Sequence, residues 1–206
     1  MRIVCISDTH GWHDRADVPE GDVLVHAGDI TRHGSLKDVE DFDRWLGTLP
    51  HKHKIVICGN HDWCFQETPM EARVRLTNAT YLEDSGCEIE GLKFYGSPWT
   101  PCFSDWAFML PRGSELAAKW AQIPNGLDVL ITHGPSEGIL DRNRTGECCG
   151  CRDLLYRVLE VKPRLHVFGH IHEAAGRADI AGTIFLNAST QMGKGRGVVI
   201  ELGNGA

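Results

Sequence analysis

Five apolar runs in this chain end on a glycine set beside an acid, an amide or a histidine: IVCISDTHG, VLVHAGD, IVICGNHD, DVLITHG and LHVFGHIH. Short runs of Val, Ile and Leu without alternation read as strands covered on both faces, because every side chain along them avoids water. Asp8 and His10 follow the first run, Asp29 the second, Asn60 and His61 the third, His133 the fourth, and His170 and His172 the fifth. Any one of these fits an ordinary turn or cap. Together they constrain the fold, since buried polar groups need partners and layered α/β proteins gather ligands in the crevice beyond the carboxyl ends of their strands.

The remaining pattern supplies the layers. Strands are expected at 2–7, 22–27, 54–58, 128–132, 165–168, 183–187 and 197–202. Between the second and third, 37–49 places Val39, Phe42, Leu46 and Leu49 at spacings of three, four and three, one apolar face of a helix. Residues 81–95 read as a hairpin turning at Glu90-Gly91, and 114–123 as a helix with Ser114 as its N-cap. A second helix is expected at 152–161, stopping before Pro163, and 136–150 reads as a surface loop. The sum is an α/β layered sandwich with mixed sheets.

At 206 residues and 42% hydrophobic composition the chain can bury one full core, and no repeat or low-complexity linker divides it, so a single domain over 1–206 is expected. The 21 basic residues are scattered among 28 acidic ones for a net charge of -7. Stable nucleic-acid binding is not expected from that balance, since backbone contacts need concentrated Lys and Arg. The N-terminal run lacks the apolar core and cleavage site of a secretory signal, and no segment approaches the roughly 18 apolar residues of a membrane span. Eight cysteines, three of them in Cys148-Cys149-Gly150-Cys151, fit reduced thiols and a cytoplasmic location. No membrane partner is expected, and nothing in the sequence indicates an oligomeric state.

The strand-end residues form a mixed donor set: oxygens of Asp8, Asp29 and Asn60 with the imidazoles of His10, His133, His170 and His172. Such a set suits Mn, Fe, Co, Ni or Zn better than the all-oxygen cages of Mg or Ca. A carboxylate offers two oxygens and joins two cations readily. The expected cofactor is a pair of divalent transition metal ions, manganese first among them, roughly 3.5–4 Å apart.

The ordered set D-x-H, G-D, G-N-H-D, T-H-G and G-H-x-H, from Asp8 to His172, resembles the calcineurin-like metallophosphoesterase superfamily. HAGD, GSPWTPCF, ITHGP, VFGHIHE and FLNAS are most similar to its compact branch of metallophosphoesterase-domain proteins, akin to class III cyclic nucleotide phosphodiesterases. The resemblance implies a four-layer α/β/β/α sandwich with two mixed β-sheets. It implies that Asp8, His10 and His172 hold one metal, that Asn60, His133 and His170 hold the other, and that Asp29 bridges them. His61 would touch the scissile phosphate, with Asn60 beside it, and protonate the leaving oxygen while a hydroxide held by the metals attacks phosphorus in line. His170 stands where some members of the branch carry glycine, which implies two complete metal sites here.

The implied activity is metal-dependent hydrolysis of small phosphoesters, diesters before monoesters, with cyclic nucleotides among the candidates. A broad phosphomonoesterase is the alternative within hydrolases, a nuclease for short oligonucleotides another, and a non-catalytic protein-binding module on the same fold the alternative from another class. None of the seven metal ligands is missing, which speaks against the module. Many phosphoprotein phosphatases of the superfamily read GDxVDRG around the bridging acid, whereas Gly28-Asp29-Ile30-Thr31-Arg32-His33-Gly34 puts His33 at their phosphate-gripping arginine. That argues against a protein phosphatase and makes His33 a candidate substrate contact. Trp99 and Phe103 in SPWTPCF are candidate pocket walls, with core packing as the equal alternative. His26 is read as orienting a ligand or as a core histidine, Asn187 and Ser189 as closing the pocket, and His13, His51, His53 and His166 as surface or packing. Cys148 and Cys151 form a CxxC without the second pair that zinc would need.

Overall fold

In the first strand, β1 (Arg2–Ile6), Ile3 and Cys5 face one layer and Val4 and Ile6 the other, all four without exposed surface. That two-sided burial repeats through the computed structural model of the protein, which describes residues 1–203. β1 runs parallel to β2 (Val23–Ala27), and β2 to β3 (His53–Ile57), with α1 (Leu36–Thr48) in the crossover between β2 and β3. Ser35 caps α1, its Oγ accepting the Asp38 N–H at 3.1 Å, and Val39, Phe42 and Leu46 turn the expected apolar face inward. Two short helices, α2 (Trp63–Glu67) and α3 (Pro69–Arg73), precede β4 (Thr80–Tyr81) at the edge of this sheet.

The second sheet begins with a hairpin, β5 (Ser85–Ile89) and β6 (Leu92–Ser97). It turns on Glu90 and Gly91, both at positive φ, as the tightest hairpin turns require. Tyr81 pairs with Val56 in the first sheet, so the hairpin is shorter than 81–95 at its start. A two-stranded flap follows, β7 (Thr100–Pro101) with β8 (Met109–Leu110), then α4 (Ser114–Trp120), β9 (Val129–Thr132), α5 (Arg152–Val161) and β10 (Leu165–Phe168). Ser114 is the first residue of α4 rather than its cap; Gly113, at φ 93°, holds the cap position with no side chain to offer. β11 (Gly176–Ile180), β12 (Thr183–Asn187) and β13 (Val198–Glu201) complete the chain.

The sheets are ordered β13, β1, β2, β3, β4 and β11, β12, β10, β9, β6, β5, each mixing parallel and antiparallel pairs. Ile3, Val25, Ile57, Val129, Val167 and Leu186 pack between the sheets. Outside the first sheet Val4, Ile6 and Leu24 meet Phe42, Leu46 and Phe65, and outside the second Leu130, Phe168 and Phe185 meet Leu116, Trp120, Leu154 and Val158. Each fully buried Leu, Ile or Phe among these contributes about 1.5–3 kcal/mol. The result is a four-layer α/β/β/α sandwich in which β1, β2, β3, β9 and β10 carry their carboxyl ends to one place. β11 escapes the sequence pattern because it is a half-exposed edge strand, so its residues show no apolar signal. The loop at 136–150 is irregular as expected, but Ser136, Asp141 and Gly150 within it are buried.

Candidate metal centre

Four residues of the strand-end loops, Asp8, His10, Asp29 and His170, have φ of 57°, 46°, 56° and 67°. Side chains rarely adopt that left-handed region, so the loops hold strained backbone where the polar groups converge. Two glycines make the convergence possible. A Cβ on Gly59 would overlap Asp29 Oδ1 and His133 Cε1, and one on Gly169 would overlap Ser7 Oγ and Asp8 Oδ2.

Within this space ligand atoms fall into three groups, each with its members within 4.8 Å of one another: Asp8 with His10 and His172, Asp8 with Asp29 and His133, and His10 with Asp29 and His61. His172 Nε2 lies 3.4 Å from Asp8 Oδ1, and His10 Nε2 lies 3.2 Å from His172 Nε2 and 3.5 Å from Asp29 Oδ2. His133 Nε2 lies 3.4 Å from Asp29 Oδ2 and 3.0 Å from Asn60 Oδ1. Asp29 thus touches both the His10 side and the His133 side. His170 packs its ring 5.0 Å from that of His133, centroid to centroid, while its N–H donates to Asp8 Oδ1 at 3.1 Å.

The donor chemistry fits divalent metal. His133 Nδ1 donates to the Ala27 carbonyl at 2.9 Å, which leaves the Nε2 lone pair facing Asn60 Oδ1 and Asp29 Oδ2. Three electron-rich atoms aimed at one point are stabilised only by a shared cation, a proton or a metal ion. Burial pushes the His133 pKa down, yet the charge and hydrogen bond of Asp29 outweigh it and raise it to about 9. Burial likewise pushes Asp8 and Asp29 up, but imidazole neighbours, His172 for Asp8 and His133 for Asp29, hold both well below the usual carboxylate range. His170, which belongs to none of the three groups, is by contrast lowered to about 4 by burial and stays neutral, the form in which an imidazole can bind metal.

Residues 1–174 match the model of the calcineurin-like phosphoesterase family. The chain belongs to that family. Among its relatives, the human and mouse metallophosphoesterase domain-containing protein 1 are each 44% identical over 213 positions, covering 91% of this chain and 65% of their own length. A UPF0046 protein of Caenorhabditis elegans is 39% identical over 209 positions, covering 95% of this chain and 71% of its own. The chain therefore spans just under two thirds of the length of its human and mouse relatives. Solved structures share the fold at low identity. TT1561 of Thermus thermophilus superposes with a TM-score of 0.63 at 13% identity, covering 90% of this chain and 88% of its own. An archaeal phosphodiesterase does so with a TM-score of 0.50 at 15%, covering 98% and 100%.

In this member of the family the other residues singled out in the sequence divide sharply. His61 stands at the mouth, its Nδ1 donating to the Arg32 carbonyl at 2.9 Å and its ring held between His10, at 4.5 Å, and Trp106, at 4.4 Å. Phe103 is 62% exposed and stacks loosely on His170 at 5.4 Å, so it does wall a cavity beside the centre. Trp99 does not. Its ring packs on Phe108, Lys119 lies over it at 4.2 Å, and its Nε1 donates to Asp84 at 2.9 Å, which is the packing alternative. His33 is exposed and lines no described cavity, whereas its neighbour Arg32 lines one together with His10.

Asn187 does not close the pocket either. Its Nδ2 donates to the Ile171 and Leu140 carbonyls, tying down the turn that carries His170 and His172 from behind, and its Oδ1 accepts the Ser189 N–H. His26 donates to or accepts from Thr9 Oγ1 at 3.0 Å, so it steadies the loop between Asp8 and His10 rather than a ligand atom. Sequence reasoning missed Trp106, whose only signal was an aromatic in a polar loop, and Asp62. Asp62 is fully buried and accepts the N–H groups of Gly59, Thr31 and Ile30, lashing the Asp29 loop to the Asn60 loop. Its burial and the charge of Asp29 raise its pKa to about 6 despite those bonds. Cys148 and Cys151 part company: the first is exposed, and the second is buried with its Sγ 3.3 Å from Trp120 Nε1.

Proposed function

We propose that this protein is a dinuclear metal-dependent phosphoesterase that hydrolyses small phosphodiesters, cyclic nucleotides among the candidates. The observation that carries the reading is the position of Asp29, one buried carboxylate shared between the His10 group and the His133 group. Asp8, His10 and His172 would then hold one ion, Asn60, His133 and His170 the other, and Asp29 would be shared between them. Two divalent ions bound there, manganese first among Mn, Fe, Zn, Co and Ni, would acidify a water and neutralise charge developing on the phosphoryl oxygens.

The side chains supply the rest. His61 spends its Nδ1–H on the Arg32 carbonyl, which leaves Nε2 as the nitrogen that would carry a proton to the departing oxygen. Trp106 and His10 pack against the ring and oppose its rotation away from that direction. Asn60 is buried beside the centre with its amide available to a phosphate oxygen. A small phosphoester is the expected partner, with no nucleic acid and no membrane surface; the eight free thiols support a cytoplasmic setting, and no helix among the described residues is long and apolar enough to cross a membrane.

The test is a substrate panel run on metal-stripped protein refilled with one ion at a time: bis-nitrophenyl phosphate, nitrophenyl phosphate, and 2′,3′- and 3′,5′-cyclic nucleotides. Faster turnover of the diesters with Mn supports the reading. Preference for the monoester points to a phosphomonoesterase, and inactivity with every ion points to a binding module.

A further inference from the structure

A cavity of about 580 Å³ opens beside His170, within the size range of small-molecule sites. Its apolar wall is Pro101, Phe103 and Ile171. An aromatic side chain 62% exposed on a flap has hydrophobic surface to spend on a ligand, and Phe103 presents it next to a residue of the metal centre. Opposite in character is Arg112 on the same cavity. Its guanidinium donates to the Gly150 carbonyl at 2.7 Å and the Cys149 carbonyl at 3.0 Å, two neutral partners that fix its direction without cancelling its charge. Glu137 and Asp153 share a second, adjoining cavity with Arg112, and Glu137 is paired with Arg152 at 2.7 Å. Glu147 also lines the cavity and keeps its charge, as Arg112 does, but its Oε2 is turned to Asn143 Nδ2 and Thr145 Oγ1 of its own loop, each at 2.9 Å, and not to Arg112.

We infer that this cavity is a substituent subsite, which takes a flat organic group of the phosphoester against Phe103 and pairs a second anionic group on it, a carboxylate or a further phosphate, with Arg112. The preferred substrate then carries two separated negative charges, the scissile phosphate at the metal centre and another one substituent away. The inference rests on the phosphoesterase reading and narrows its substrate class.

Two diesters that differ by one carboxylate test it: 4-nitrophenyl phenyl phosphate and 4-nitrophenyl 3-carboxyphenyl phosphate, both followed by nitrophenolate release on the Mn-loaded protein. The expected kcat/KM is about tenfold higher for the carboxylated diester, the size of one hydrogen bond to a charged group. Arg112→Gln should bring the ratio close to one, and raising salt from about 0.05 to about 0.5 M should shrink it in the unaltered protein, which covers the case in which the variant does not fold. Phe103→Ala should raise KM for both diesters together. A ratio near one in the unaltered protein, or one indifferent to both salt and Arg112→Gln, overturns the subsite while leaving the phosphoesterase reading intact. If neither diester turns over, that reading fails, and calorimetry decides the subsite by itself: 3-carboxyphenyl phosphate binding more tightly than phenyl phosphate, with the difference lost in Arg112→Gln, supports it, and equal affinities overturn it.

Discussion

The two sheets contribute different chemistry to the same centre. The sheet of β1, β2 and β3 provides the oxygens, Asp8, Asp29 and Asn60, together with His10 and His61; the sheet of β9 and β10 provides imidazoles alone, His133, His170 and His172. Within each half like charges oppose one another. Burial and the charge of Asp29 work against ionisation of Asp8, which His172 nonetheless keeps well below the usual carboxylate range, and the charge of His133 adds to burial in lowering His170. Packed together, acids and bases compensate. The seam is also uneven in depth: the His133 side chain is fully buried, while that of His172 is 23% exposed and His170 opens onto the cavity beside Phe103.

Removing the group that spans the seam should break it most severely. Asp29→Ala is expected to lower the metal-to-protein ratio, measured by elemental analysis of purified protein. Activity should fall by more than the roughly 10²–10³-fold that loss of a single preorganised electrostatic partner costs. An unchanged ratio would contradict the bridging assignment. His61 belongs to the oxygen-bearing sheet and is the proposed proton donor, and His61→Ala should keep metal while losing roughly 10²–10⁴-fold on esters with poor leaving groups and much less on nitrophenolate esters. Equal losses on both would count against the acid role.

Subtler substitutions probe the fit between the sheets. Gly169→Ala, on the imidazole side, drives a methyl into Ser7 and Asp8 of the other sheet, and metal affinity should weaken roughly 10–100-fold, as when a ligand's support is lost. Titration of metal followed by any occupancy signal checks this. The smallest effect concerns His166, fully buried between Phe168 and Phe185 on the outer face of the imidazole sheet. Burial lowers its pKa from an ordinary 6.5 to about 3. The unfolded chain therefore takes up a proton that the folded one refuses, and stability falls as pH drops from about 6.5 toward about 3. His166→Gln should flatten part of that acid limb in melting curves of metal-free protein, and an unaltered limb would assign the loss to other groups.

Much of the fold was legible because burial on both faces leaves a nearly continuous apolar run, as in β1 and β9, and because α1 and α5 repeat their apolar residues at helical spacing. β11 was not, since an exposed edge strand is under no such pressure. At the site, the residue types were legible and their neighbours were not. Trp99 and Trp106 look alike in sequence, seven positions apart on one flap, yet one enters the core and the other braces His61. Asp62 looked like the end of a motif and proved to be the tie between two loops.

The order and kind of the polar residues at the strand ends were written in the sequence, because only buried strands explain the apolar runs and only partners explain what terminates them. Which acid faces which imidazole was decided by the packing of one sheet on the other. Asp8 and His170 are 162 residues apart, and no local rule brings them within 3.1 Å. Close packing does, through glycines small enough to let the two sets of loops meet.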